Sequence, residues 1–139
     1  MTQHTSGAFT FTDWQETALT PETDHPRLAR ASVINTFTGG IEAAGTTCEY
    51  SFTYVTERTG TFAGYELIAG ALGGRRGSFA IEQRGTFHAD GTVRCIFTVV
   101  PGSGTGELAG LSGEGEYTAR HGEPSVPYTF GYAWDAPRA

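Results

Sequence analysis

Apolar and polar residues alternate along most of this chain. In "TCEYSFTYVT", Cys48, Tyr50, Phe52 and Tyr54 fall on one side and Glu49, Ser51 and Thr53 on the other. A period of two is the signature of a half-buried β-strand. "VPYTFGYAWD" repeats it with Tyr128, Phe130, Tyr132 and Trp134. "GSFAIEQRGTF" groups Phe79, Ile81, Gln83 and Phe87 against Ser78, Glu82 and Arg84, and "GTVRCIFTVV" groups Val93, Cys95, Phe97 and Val99. Glycine, proline and Asp-Gly separate these runs, and "ADG" at 89–91 predicts a hairpin turn with Gly91 free to take positive φ. The pattern predicts strands over 7–15, 28–38, 47–57, 61–72, 77–88, 92–100, 106–118 and 126–134. Eight short strands at regular spacing predict an all-β barrel or sandwich.

Two stretches invite a helix and neither holds one. "DWQETALTPETDHPRLARA" is interrupted by Pro21 and Pro26, and "TYVTERTG" is too rich in β-branched residues. Around Trp14 the parity changes. Phe9 and Phe11 are out of step with Trp14 and Glu16, so a β-bulge is expected to switch faces between them. No domain boundary or linker is visible in the 139 residues, which predicts a single domain.

Glycine changes the picture next, with 20 residues, about twice its usual share. The densest stretch is "PGSGTGELAGLSGEGEY", Pro101 to Tyr117. A phosphate-binding Walker loop ends in Lys-Ser/Thr, and the whole chain has no lysine. A dinucleotide fingerprint opens a helix, whereas Gly110, Gly113 and Gly115 would each cost a helix about 1 kcal/mol. The stretch is instead expected to let strands bend, and to let neighbouring side chains lie across bare backbone, as closing a small barrel requires.

Several segments resemble the bacterial DUF3224 family: "GAFTFTDWQE", "FTGGIEAAGT", "YELIAGALGGRRGSF" and "VVPGSGTGELAGLSG", together spanning roughly 7 to 132. The glycine-rich strand region also resembles allene oxide cyclase-like and dirigent-like barrels. This resemblance implies an eight-stranded antiparallel β-barrel of the allene oxide cyclase-like (calycin-like) type, often a homodimer. It implies no settled activity. The chain departs from the family pattern where Gln-His would follow "GSF", having Glu82 and Gln83, and near the last strand, where Val126 and Pro127 stand.

The net charge of -6 disfavours nucleic acid as a partner. No apolar run reaches the length of a membrane span, and "MTQHTSGAF" lacks the features of a signal peptide, so a cytoplasmic location is expected. The two cysteines, Cys48 and Cys95, lie in strand patterns and are expected as buried free thiols. The four histidines have no ligand spacing with them, and no catalytic triad or nucleophile elbow is legible. No metal and no cofactor are expected.

A barrel lumen remains as the candidate site. The inward faces place Trp14, Tyr50, Phe52, Tyr54, Phe79, Phe97, Tyr128, Phe130, Tyr132 and Trp134 as candidate ligand contacts. Glu66 shares parity with Phe62 and Ile68, and also falls on a glutamate position of the family pattern. A carboxylate among aromatics has a raised pKa and suits acid–base work. Glu16 is the second such candidate, and Gln83 the candidate amide contact. Arg30, Arg75 and Arg84 are the expected partners for these carboxylates or for an acidic ligand. Three functions follow: a small-molecule binder for an apolar or aromatic ligand; a cofactor-free cyclase or isomerase using Glu66 or Glu16; or a structural, dimerising domain with a filled core.

Overall fold

The computed structural model describes residues 2–135. Eight strands follow one another: β1 (Gln3–Ala18), β2 (Arg27–Gly39), β3 (Ile41–Tyr54), β4 (Gly60–Leu72), β5 (Arg75–Phe87), β6 (Val93–Val99), β7 (Leu111–Ala119) and β8 (Val126–Trp134). Each pairs antiparallel with the next, and β8 returns to β1, where Phe9 faces Val126 and Gln3 faces Tyr132. The result is a closed, eight-stranded antiparallel barrel. Closure leaves no unpaired edge to template aggregation.

The alternation builds it. Along β3, Cys48, Tyr50 and Phe52 are buried while Thr47, Glu49 and Ser51 are exposed. The expected bulge in β1 is present. Its pairing with β2 shifts register between Thr12 and Gln15, and Asp13 takes a φ of 58°. The extra residue moves the inward face from Phe9 and Phe11 to Trp14 and Glu16. Two glycines do the expected work of bare backbone. Phe62 lies where a Cβ on Gly85 would be, and Phe97 where a Cβ on Gly115 would be.

One predicted strand is corrected. The strand expected over 106–118 begins only at Leu111, because Gly106–Leu108 forms a single 3₁₀ turn. Gly106 and Gly110 take φ of 59° and 82°, which strand geometry excludes, and the turn drives Leu108 into the core with no exposed surface. β1 and β3 also extend beyond their expected starts. In β3 a positive φ at Gly45 and a register shift between Glu42 and Thr47 carry pairing through a stretch the sequence marks as a break.

The barrel has two unlike ends. The connections 39–40 and 73–74 and the segment 100–110 gather at one end, which Ile41, Leu72, Leu108 and Leu111 seal, all fully buried. The connections 19–26, 55–59, 88–92 and 120–125 gather at the other, which stays open.

Candidate functional site

The open half of the lumen is a cavity of about 780 Å³. Its walls include Trp14, Tyr50, Phe52 and Tyr54, four of the residues expected there, together with Phe62 and Phe87. Trp14 leans on Tyr50 and Phe52, with ring centroids 6.2 and 5.8 Å apart. Trp14 and Phe11 are 45% and 55% exposed, and the surface they expose borders this cavity. At its edge Glu16 accepts hydrogen bonds from Tyr54 Oη at 2.7 Å and from Trp14 Nε1 at 3.3 Å. Burial first, then the carboxylate of Glu16, pushes the Tyr54 hydroxyl up to about 12.

Below the aromatic walls lies a buried polar layer. Glu66 is 2% exposed and points inward, as its parity predicts. Its carboxylate accepts hydrogen bonds from Asn35 Nδ2 at 2.8 Å, from Gln83 Nε2 at 3.2 Å and from the Thr46 hydroxyl. Gln83 then presents its carbonyl to Tyr50 Oη and Tyr117 Oη, each 3.2 Å away. This layer exists because a buried polar group needs partners, and each member supplies one to the next. Burial raises the Glu66 carboxyl above its ordinary value, and the hydrogen bonds it accepts offset part of that rise. Asn35, Tyr50 and Tyr117 line the cavity, whereas Glu66 and Gln83 stand behind them.

The remaining expected contacts lie elsewhere. Phe79, Phe97, Phe130 and Tyr132 pack against one another in the sealed half and do not line the cavity. Tyr128 is committed to backbone, accepting from the Ile41 N–H at 2.8 Å and donating to the Thr38 carbonyl at 3.0 Å. Trp134 lies beneath the Arg75 guanidinium, 4.4 Å from its ring centre. These residues have the inward parity expected of them but the wrong depth, because parity fixes the face of a strand and not the height along the barrel. The arginines differ too. Arg30 pairs with Glu49 on the outside at 3.9 Å and Arg84 is exposed, so the cavity's arginine is Arg58. His88 and His121 join it. Nothing in strand periodicity could have found these three, since they sit in or beside loops.

Cys48 and Cys95 are free and buried. Burial is the first cause raising both thiols, Cys95 to about 11 and Cys48 further. Reaction with a soluble disulfide reagent at about pH 8 is therefore expected to be negligible in the folded protein and complete in denaturant. Rapid labelling of either thiol in the native state would contradict this placement. Among the described residues, no group of three or more His, Cys, Asp and Glu is placed to hold a metal ion. Among the described residues, no helix is long and apolar enough to cross a membrane.

Comparison with known proteins adds a family and no activity. No curated protein matches the chain. A crystal structure of a DUF3224-family protein of unknown function from Shewanella oneidensis MR-1 is similar at 26% identity and a TM-score of 0.76, covering 98% of this chain and 100% of that one. The family model described as "Protein of unknown function (DUF3224)" matches residues 5–132. The chain belongs to the DUF3224 family.

Proposed function

We propose that this chain is a small-molecule-binding barrel that takes an apolar or aromatic ligand into the open half of its lumen. One observation carries the reading: an aromatic-walled cavity of about 780 Å³ opens to solvent at one end only. That volume lies within the roughly 300–1,000 Å³ of ordinary ligand pockets. The filled-core reading fits the sealed half of the barrel alone. The polar layer gives the cavity a floor with fixed hydroxyls and an amide, which suits orientation of a ligand as well as its burial.

The test is a thermal-shift panel of planar and alkyl compounds. A ligand binding only the folded state at about 100 times its Kd adds about 2.7 kcal/mol of stability. A saturable rise in Tm with a matching change in Trp14 emission is the expected result. A panel that moves neither, at concentrations up to solubility, would remove this reading.

Glu16 favours a second reading, a cofactor-free cyclase or isomerase. Its carboxylate accepts from Tyr54 and Trp14, both cavity walls, at the open edge. Shape and orientation would supply most of the rate, with the Glu16–Tyr54 pair moving the proton. Glu16→Gln would then abolish turnover while ligand still binds. Equal turnover by both proteins would exclude Glu16 from catalysis. The homodimer implied by the family resemblance is a separate proposal, tested by sedimentation equilibrium.

A further inference from the structure

We propose that the ligand of this cavity is an amphipathic acid: an apolar or aromatic body carrying a carboxylate, seated with the body inward and the carboxylate at the open rim. The inference rests on the cavity being the binding site, and it adds the ligand's charge and orientation.

The rim supplies the argument. Cations are scarce in this chain, with nine arginines, no lysine and a net charge of -6. Yet Arg58 lines the open end, alongside the imidazoles of His88 and His121. The ion pairs among the described residues are Arg30–Glu49 and Arg120–Glu123, so Arg58 has no carboxylate within pairing distance. A second cation stands close by. Arg27 opens β2 with the same parity as the buried Ala29 and Ala31. Its guanidinium lies 3.9 Å from the ring centre of Tyr54, a cavity wall, and its buried Nε has no hydrogen-bond partner.

Two acidic groups stand there, Asp90 on the cavity lining and Glu16 at its edge, and both already accept hydrogen bonds. Asp90 accepts the Thr92 N–H at 2.9 Å, and Glu16 accepts from Tyr54 and Trp14. Among the described residues, the mouth therefore has guanidinium donors without a carboxylate partner, Arg58 and Arg27, beside carboxylates that already accept hydrogen bonds. A carboxylate arriving there meets charge-assisted hydrogen-bond donors at the boundary of a low-dielectric cavity, where such bonds are strongest. An arginine beside an aromatic wall is also the geometry that suits planar carboxylate recognition.

The experiment uses matched probes with one apolar body: 1-naphthylacetate, 1-naphthylacetamide and 1-naphthylethylamine. Dodecanoate and dodecanamide serve as an alkyl pair. Affinities are read by Trp14 emission and by Tm. The acid is expected to bind about tenfold or more tightly than the amide at low salt, and that preference should shrink as salt is added. Arg58→Gln should bring the acid-to-amide ratio close to one, and Arg27→Gln should lower it partly. Arg84→Gln, a change on the exposed outer face, should leave the ratio where it was. An amide or amine that binds as well as the acid overturns the proposal and leaves the cavity reading standing. A preference that survives Arg58→Gln combined with Arg27→Gln also overturns it. Failure of all five probes to bind overturns both.

Discussion

Glu66→Leu is expected to destabilise the barrel by about 3 kcal/mol or more, because it strands buried donors rather than because it removes a contact. Asn35 Nδ2, Gln83 Nε2 and the Thr46 hydroxyl all end on this one carboxylate. Leucine has similar volume, so water gains no room to replace it. The added apolar burial offsets only part of the loss, and urea unfolding measures the remainder. Glu66→Gln is the informative companion. Its amide keeps an acceptor for Asn35 and Thr46. Gln83 turns over to accept from the new NH₂, while the hydroxyls of Tyr50 and Tyr117 accept in its place.

The two variants separate charge from shape. Burial raises the Glu66 carboxyl above its ordinary 4.5, so the folded chain holds this proton more tightly than the unfolded chain does. The stability it contributes is full below about pH 4.5 and is lost as pH rises through its folded-state titration. Glutamine does not titrate. The stability of Glu66→Gln relative to the natural chain should therefore climb as pH rises from about 4.5 through that titration. A difference that stays flat over this range would mean the carboxyl is no harder to ionise inside the barrel than outside.

Phe130→Ala carries the second large effect, about 3–5 kcal/mol, the usual cost of emptying a buried phenylalanine site. The ring is 1% exposed. It sits 5.6 Å from Phe97, 5.4 Å from Tyr132 and 6.4 Å from Phe79, measured between ring centres. Strands joined all around a closed barrel cannot collapse inward to fill the gap. The new void should be dry, apolar and separate from the natural cavity, and benzene should restore part of the lost stability. A loss below about 1 kcal/mol would show that the sealed half is loosely packed.

Much of this architecture is legible in the chain because one barrel face is buried and the period is two. The strand count and the β1 bulge follow from parity, which leaves barrel and sandwich both open; the family resemblance points to the barrel. Depth does not follow from parity. Phe52 and Phe130 carry the same signal in sequence, yet one walls the cavity and the other fills the sealed half. Only the register between strands sets that height. Two of the three partners of Glu66 are invisible for a related reason: Asn35 and Thr46 are polar residues at inward positions, which a hydrophobic pattern scores as interruptions. Arg58, His88 and His121 reach the mouth from loops, where no periodicity operates. The 3₁₀ turn at Gly106–Leu108 interrupts what looks like one strand because Gly106 and Gly110 use their freedom to leave the extended region.

Seven of the eight seams in this barrel join strands that are neighbours in the chain, and the eighth joins β1 to β8. That last seam brings together the two ends of the sequence. The entropy of closing a loop grows with the logarithm of its length, so a seam spanning about ten times a hairpin's length costs about 2 kcal/mol more to form. The meander is thus a ribbon that can assemble hairpin by hairpin and be zipped shut afterwards. Among the interfaces of the folded barrel, β1–β8 is the one that can part without unpairing any consecutive strands. Native-state hydrogen exchange should find its amides opening before those of the β4–β5 seam, and the reverse order would show that the barrel opens elsewhere.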